Sequence, residues 1–148
     1  MKDASVRRWS RFHTFLYRIT GGLLGRRLVD NDMLLLTTHG RETGDAHTVP
    51  LLYLTDGDRY VVIASYGGRD SHPDWYHNLV EDPIVKVRTP GSTKTMSARR
   101  SGPDERAVWW PRVLEAYHGY GTYQRRTDRE IPVVFLEPIS RPNDRSDH

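Results

Sequence analysis

Two loops of this sequence carry side chains and glycines suited to binding an anion. The first, residues 40–44 with the sequence GRETG, follows an apolar segment and sets an arginine and a threonine between two glycines. The second places Ser65 before Gly67 and Gly68 at the end of another apolar segment. Glycine lets a loop adopt positive φ and turn its N–H groups inward, and arginine grips a phosphate through two parallel hydrogen bonds. The pattern indicates a site for a phosphate-bearing ligand, although two ordinary hairpin turns would also produce it.

Three tyrosines supply the second chemical feature. Tyr117, Tyr120 and Tyr123 recur every three residues. This spacing is typical either of a helical turn that packs its rings on the core or of an aromatic wall beside a flat ligand. The seven histidines are scattered without zinc-type spacing, so no metal site is predicted. No nucleophile or paired acid and base stands beside the loops, and we therefore expect a cofactor-holding protein whose enzymatic chemistry is that of the cofactor.

The composition is that of a single small domain. The chain has 148 residues, a formal net charge of +3 and no cysteine, which excludes disulfides and thiolate sites. The positive charge favours an anionic partner, but the arginines are spread over many segments, so nucleic acid is not expected. We see neither a bilayer-spanning apolar segment nor a signal peptide, and the expected location is cytoplasmic.

Residues 1–30 form a predicted N-terminal amphipathic helix and linker. Trp9, Phe12, Leu16, Ile19 and Leu23 recur at steps of three and four, which places them on one helical face. Such a helix either docks on the body of the domain or covers an apolar pocket at an anionic membrane surface, which would make the protein peripheral at the inner membrane face. Residues 31–139 are the predicted cofactor-binding domain, and residues 140–148 are a predicted polar tail.

The middle of the chain predicts a mainly β (α+β) fold. Few helices separate its strands, which favours a small, mostly antiparallel barrel with helices packed outside over a doubly wound parallel sheet. A helix is expected after an N-cap at Ser71, and another after Pro103 that Pro111 kinks or interrupts. The charged segment 125–130 is expected to be a solvated run of ion pairs. The six predicted strands are residues 33–38, 48–55, 60–65, 84–88, 94–100 and 132–137.

Several motifs in a fixed order make the chain resemble a known family. They are LLLTTHGRETG, VPLLYL, ASYGG, PDWYHNL, YHGYGTYQRRTDREIPVV and a closing EP, which together extend over roughly residues 33–138. In these motifs the chain is similar to the deazaflavin-dependent nitroreductase family of the FMN-binding split barrel superfamily. The resemblance implies a six-stranded split β-barrel that binds coenzyme F420, a deazaflavin with a phospholactyl polyglutamate tail.

The resemblance also implies roles for individual residues. Tyr117, Tyr120 and Tyr123 match the tyrosines beside the substrate pocket, where Tyr120 or Tyr123 would polarise or protonate the oxygen of the electron acceptor. The positions that match the family's cofactor-binding residues or their neighbourhood are Arg41, Thr43, Gly44, His47, Val49, Pro50, Ser65, Gly67, Gly68, Trp75 and Asn78.

Three positions depart from the family's usual residues. Glu42 and Tyr66 stand where lysine is usual, and His47 stands where arginine is common. Up to three cationic contacts to the acidic tail are therefore missing or weakened. The departures predict weaker or differently tailed cofactor binding, and they leave FMN open as an alternative ligand.

The activity implied by the resemblance is hydride transfer from reduced F420 to a quinone, a nitroaromatic compound or an activated enone. A separate F420-reducing dehydrogenase would regenerate the reduced coenzyme, and the barrel would form a homodimer. Two alternatives stay open beside this one. The first is an FMN-binding split-barrel reductase or oxidase, and the second is a non-catalytic carrier of a deazaflavin or another lipophilic ligand.

Overall fold

One antiparallel sheet forms the body of the domain in the computed structural model, which describes residues 33–139. The predicted helix and linker at residues 1–30 and the polar tail at 140–148 lie outside the described residues. The strands are β1 (Met33–His39), β2 (Ala46–Leu52), β3 (Leu54–Asp56), β4 (Arg59–Ile63), β5 (Ile84–Thr89), β6 (Ser92–Arg100) and β7 (Val133–Pro138). They lie in the order β2-β1-β5-β6-β7-β4-β3, and each neighbouring pair is antiparallel.

The predicted mainly β fold with outer helices is confirmed, but residues 33–139 contain seven strands rather than six. The single strand predicted over residues 48–55 is wrong, because Tyr53 separates β2 from β3. The chain changes partners at this residue, since β2 pairs with β1 whereas β3 pairs with β4. These two strands are also the two edges of the sheet. Because one residue joins them, the sheet curls until its edges adjoin, and the barrel is split along that seam.

Three helices and one short 3-10 helix are described beside the sheet. They are α1 (Asp74–Glu81), α2 (Pro103–Ala116), α3 (Gly119–Arg125) and the 3-10 helix Tyr66–Gly68. The predicted N-cap at Ser71 is wrong. Pro73 is the residue before α1, and its carbonyl accepts a hydrogen bond from the N–H of Tyr76 at 3.0 Å. Pro73 has extended backbone angles (φ −68°, ψ 156°), so the helical turn starts only after it.

A kink or an interruption is predicted at Pro111; helix α2 continues through this residue, so the interruption is wrong and the kink stays a prediction. A proline in a helix leaves the carbonyl four residues earlier without its usual donor. Both Pro111 and Ala107, which carries that carbonyl, are exposed. Water on this side can replace the missing hydrogen bond, and the helix therefore tolerates the proline.

Two apolar clusters lie on opposite faces of the central strands. Alternate residues of β4 and β7 enter each cluster, so these strands are buried on both sides and read as nearly continuous apolar runs. Val61 and Phe135 belong to the cluster beneath α2 and α3, and Val62 and Leu136 belong to the cluster that receives α1. The two clusters fix the helices on opposite faces of the sheet.

Gly68 brings the 3-10 helix into direct contact with the backbone of α3. Its φ is +80°, and a Cβ at this position would lie 2.6 Å from the carbonyl oxygen of Tyr123. That distance is far inside ordinary contact, and backbone cannot swing away as a flexible side chain can. The glycine is therefore required twice, for its left-handed conformation and for the close approach.

We expect Gly68→Ala to lower the free energy of unfolding by about 3 kcal/mol, through backbone strain and overpacking together. Gly91→Ala is the matched control, because Gly91 has a similar φ of +75° but no atom within 4 Å of its Cβ position. The control should lose only about 1 kcal/mol. Urea denaturation of both variants makes the comparison, and equal losses would show that the contact with α3 contributes nothing.

Candidate functional site

A cavity of about 1090 Å³ lies between the loop that follows β1, strand β2, the end of β4 with the 3-10 helix, the start of α1, and α3. Ten of the residues predicted for the site line it. Arg41, Thr43, His47 and Val49 line it from the loop and β2. Ser65, Gly67, Trp75 and Asn78 line it from the 3-10 helix and α1, and Tyr120 and Tyr123 line it from α3.

Four residues predicted for the site do not line this cavity. Gly44 gives the loop its left-handed turn at φ +77°, and Gly68 packs against α3. Pro50 is buried in β2 opposite Leu35 of β1. Tyr117 is buried in the cluster beneath α2, where its hydroxyl donates a hydrogen bond to the carbonyl of Tyr53 at 3.2 Å. The structure therefore places these four in supporting positions around the cavity.

The floor of the cavity is apolar. It is formed by Val49, Leu51 and Leu52 of β2, by Ile63 of β4, and by the ring of Trp75 from α1. Such a floor suits a flat heteroaromatic ring, whereas the polar loop and the arginines around it suit an acidic group. The cavity thus fits a cofactor with an aromatic head and an anionic tail.

The loop 40–45 is closed by its own hydrogen bonds. The N–H of Gly40 donates to the carbonyl of Asp45, and the N–H of Gly44 donates to the carbonyl of Gly40, each at 2.7 Å. The hydroxyl of Thr43 accepts a hydrogen bond from the N–H of Asp45 at 3.2 Å. These bonds hold the loop in one shape, so Arg41 projects from a fixed turn.

Asn78 ties this loop to the body of the domain. Its side-chain oxygen accepts hydrogen bonds from the backbone N–H of Arg41 at 3.2 Å and from Nη1 of Arg41 at 3.0 Å. Its amide nitrogen donates to the hydroxyl of Thr38, at the end of β1, at 3.3 Å. Asn78 and Thr38 are both buried. Since a buried amide without partners is costly, this bridge fixes the position of the loop.

Arg129 holds the opposite rim. Its guanidinium donates to three backbone carbonyls, those of Ala64 at 3.2 Å, Ser65 at 2.6 Å and Arg69 at 2.7 Å. It also lies 2.9 Å from Nδ1 of His72, whose pKa is lowered by burial and then by the charge of Arg129. The interpretation of segment 125–130 as solvated is therefore wrong for Arg129, because the carbonyls beyond the end of β4 need donors that no strand supplies.

Tyr120 and Tyr123 present buried phenols to the cavity. Burial raises the pKa of Tyr120 well above its ordinary value of 10.0, and the neighbouring phenols of Tyr117 and Tyr123 act in the same direction. Burial raises the pKa of Tyr123 to about 12, although the charge of Arg126 opposes it. Both side chains therefore keep their protons at any ordinary pH and act as hydrogen-bond donors rather than as bases.

Sequence reasoning missed four charged residues of the lining. Asp45 lies in the loop before β2, Arg69 follows the 3-10 helix, Asp74 begins α1, and Arg126 follows α3. Arg69 stands one residue beyond the Gly67-Gly68 pair, and its closeness to that motif is a signal that could have found it. Arg126 carries no local signal, because the fold brings it to the cavity from a segment about 60 residues away.

No group of three or more His, Asp or Glu side chains within residues 33–139 is placed to hold a metal ion. None of the helices there is long and apolar enough to cross a membrane.

Comparison with known proteins identifies similar chains over nearly the whole length. A family model described as F420H(2)-dependent quinone reductase matches residues 9–138. An F420H(2)-dependent quinone reductase of Mycobacterium tuberculosis is 37% identical over 130 residues, which cover 85% of this chain and 87% of that protein.

Solved structures agree with the sequence comparison. An F420-H2 dependent reductase (FDR-A) is 37% identical, with a TM-score of 0.66 over 72% of this chain and 94% of that one. A second structure, described as a domain-swapped dimer, is 35% identical, with a TM-score of 0.68 over 87% of this chain and 97% of that one. These similarities confirm the predicted split-barrel fold.

We expect Asn78→Ala to lower the free energy of unfolding by about 2 kcal/mol, because it leaves the buried hydroxyl of Thr38 and the partly buried N–H groups of Arg41 without their partner. Amide hydrogen exchange in the loop 40–45 should rise as well. Thr37→Val is the matched control, since the hydroxyls of Thr37 and Thr48 bond at 2.7 Å in an exposed position. The control should lose less than about 0.5 kcal/mol. Unchanged amide hydrogen exchange in Asn78→Ala would show that the internal hydrogen bonds of the loop are enough to fix it.

Stability should fall at alkaline pH through the cavity tyrosines. In the unfolded chain both phenols have the ordinary pKa of 10.0. In the folded chain the pKa of Tyr123 is raised to about 12, and the pKa of Tyr120 is raised further. Their contribution is therefore complete below pH 10 and declines above it. Chemical denaturation at several pH values between about 8 and 12 measures the slope. The double variant Y120F/Y123F should show a shallower decline, and an identical slope would contradict the assignment.

Proposed function

Since the chain belongs to the F420H(2)-dependent quinone reductase family, we propose that its cavity binds coenzyme F420 with the heterocycle against the apolar floor and the acidic tail along the arginine-bearing rim. Membership confirms the family, the oxidoreductase class and the cofactor predicted from the motifs. The observation that carries the placement is the division of one cavity into an apolar floor, charged rims and two buried phenols.

Reduced F420, when bound, supplies a hydride to an electron-poor acceptor such as a quinone, a nitroaromatic compound or an activated enone. The role of the protein is to orient the coenzyme and the acceptor and to exclude water. Val49, Ile63 and Trp75 close the floor with apolar surface, and Asn78 and Arg129 fix the two rims before any ligand arrives. The reacting groups thus meet in a dry and rigid chamber.

Tyr120 is the residue we assign to the acceptor. Its ring lies at the wall of the cavity, and within residues 33–139 its hydroxyl makes no hydrogen bond. A phenol with a raised pKa is a weak acid, so it polarises an acceptor oxygen by donating a hydrogen bond rather than by giving up its proton. Of the two roles predicted for these tyrosines, polarisation fits the burial of this one.

Assembly and location are proposed from other observations. We propose a homodimer, which the relative described as a domain-swapped dimer supports. The cytoplasmic location and the peripheral contact with the membrane stay predictions, because the amphipathic segment 1–30 lies outside the described residues.

Parallel titration with F420 and FMN tests the proposed function. The protein should bind F420, seen as a change in deazaflavin fluorescence, and should bind FMN more weakly. With the reduced coenzyme and a lipophilic quinone, the absorbance of oxidised F420 should grow at a rate proportional to enzyme concentration. Binding of FMN alone would favour the flavin-dependent alternative. Tight F420 binding without turnover of quinones, nitroaromatics or enones would favour a carrier.

The tyrosine assignment has its own comparison. Tyr120→Phe should lower kcat about tenfold through the loss of one hydrogen bond to the acceptor, with little change in the Kd for F420. Tyr117→Phe is the matched control, because its hydroxyl bonds to the carbonyl of Tyr53 in the core and does not face the cavity. The control should reduce thermal stability and leave kcat nearly unchanged. Equal kcat values for all three proteins would remove Tyr120 from the reaction.

A further inference from the structure

We propose that Arg69, held on the ring of Tyr66, forms together with Arg126 the subsite for the acidic tail of the cofactor. This places the anion-binding centre at the 3-10 helix and α3, away from Arg41, which the family resemblance places among the cofactor-binding residues. The inference rests on the proposed binding of F420 in the cavity. It concerns the residues that recognise the oxyanions of the tail, which are a phosphate and carboxylates.

The loop side of the cavity is acidic on balance. Three carboxylates, those of Glu42, Asp45 and Asp74, line it together with the single guanidinium of Arg41. Nη2 of Arg41 lies 3.5 Å from Oδ1 of Asp74, and its Nη1 donates to Asn78. Asp74 and Asn78 therefore already compensate much of the positive charge of Arg41, and the remaining carboxylates repel a polyanion that approaches this side.

The opposite side carries the reverse charge. Arg69 and Arg126 line the cavity there without a carboxylate beside them in the lining. Neither guanidinium makes an ion pair within 4.0 Å to any residue of the described range. Arg126 donates a weak hydrogen bond of 3.5 Å to the carbonyl of Gly67, which draws its guanidinium toward the 3-10 helix. Two exposed arginines from different segments thus line this side of the cavity, and no carboxylate of residues 33–139 forms an ion pair with either of them.

Tyr66 orients Arg69. The guanidinium carbon lies 4.6 Å from the centre of the tyrosine ring, and Nη1 donates to the phenolic oxygen at 3.1 Å. This is a stacked and hydrogen-bonded pair, so the guanidinium is held flat while its other N–H groups stay available. Within residues 33–139 the bond to Tyr66 is the one hydrogen bond that the guanidinium of Arg69 makes.

The backbone at Tyr66 is strained in a way that points to a function. Its φ is +48°, and it is the one non-glycine residue of the described chain with positive φ. Glycines follow directly at positions 67 and 68, so the sequence places a bulky ring where glycine would be free of strain. The ring is also largely exposed, at 42%, and contributes little to the core. Holding Arg69 is the contact that this conformation provides.

The pair stands on a braced segment. Arg129 donates to the carbonyls of Ser65 and Arg69, which lie on either side of the 3-10 helix. Gly68 docks the same segment on α3. Arg69 is therefore preorganised, and binding an anion costs little further ordering. It also supplies a cation on the segment where Tyr66 replaces the family's usual lysine.

Fluorescence titration with three ligands of increasing tail length tests the subsite. The ligands are the tail-free deazaflavin nucleoside, the form with the phospholactyl group alone, and F420 with several glutamates. In low salt, Arg69→Ala should weaken binding of full-length F420 about tenfold, the value of one charge-assisted contact, and should leave the tail-free form within about twofold. Loss of affinity already with the phospholactyl form assigns Arg69 to the phosphate, and loss only with glutamates assigns it to the carboxylates.

Three further variants separate charge, orientation and general effects. Tyr66→Phe keeps the ring and should bind F420 nearly as the parent does, whereas Tyr66→Gly relieves the strain yet should lose affinity for the tail. Arg112→Ala is the matched control, since its guanidinium stacks at 4.9 Å on Trp109 of α2 and is not part of the cavity lining. It should leave every Kd unchanged.

The outcomes distinguish this inference from the proposed function. If the parent protein binds F420 and Arg69→Ala binds all three ligands equally well, the subsite is overturned and the proposed function stands. An equal loss for all three ligands overturns the subsite as well, because it places Arg69 beside the ring. If the parent protein binds none of them, the proposed function itself falls.

Discussion

The cavity depends on the guanidinium of Arg129, which makes the backbone hydrogen bonds that a neighbouring strand would otherwise make. Beyond the end of β4 the carbonyls of Ala64 and Ser65 have no neighbouring strand to donate to them, and Arg129 supplies the donors from a segment more than 60 residues later. The same side chain reaches the carbonyl of Arg69 and so closes the turn that contains the 3-10 helix. A lysine could not reproduce this fork, because it has one nitrogen rather than three in a plane. The rim of the cavity thus exists because Arg129 is rigid and partly withdrawn from water.

The two rims are fixed by different chemistry and carry different charge. A buried amide secures the loop side, where Asn78 joins Arg41 to the end of β1. A partly buried cation, Arg129, secures the other side, and within residues 33–139 the arginines beyond it have no carboxylate partner. The charge difference between the rims therefore orients an amphiphilic ligand on the apolar floor, because its acidic end is attracted to one rim and repelled by the other. Orientation of this kind is what hydride transfer requires of a protein that contributes no covalent chemistry.

Much of the fold was predictable because its signals are local. The apolar run of β7 and the strands β5 and β6 could be read directly, and the ordered motifs identified the family. The break at Tyr53 could not, because the apolar run of residues 49–54 continues across it and only the change of pairing partner ends the strand. The tight start of α1 at Pro73 was likewise set by backbone angles that Ser71 does not reveal.

The site was predictable where motifs pass through it and not where the fold assembles it. Arg41 and Asn78 were found from their motifs, but their mutual hydrogen bonds depend on tertiary contact. Arg129 was misjudged because a charged residue in a charged segment has the local pattern of a solvated one. Tyr117 shares its spacing with Tyr120, yet the end of α2 turns its ring into the core, so periodicity alone could not separate the two.

Trp75 gives the protein an optical property that follows from its place in the floor. Its indole is 8% exposed, so it is shielded from solvent, yet it borders the cavity directly. The indoles of Trp109 and Trp110 belong to α2, on the other side of the central strands. A conjugated chromophore resting on the floor would accept excitation energy from Trp75 more readily than from those two. The intrinsic emission of the unlabelled protein therefore contains a component that responds to occupancy.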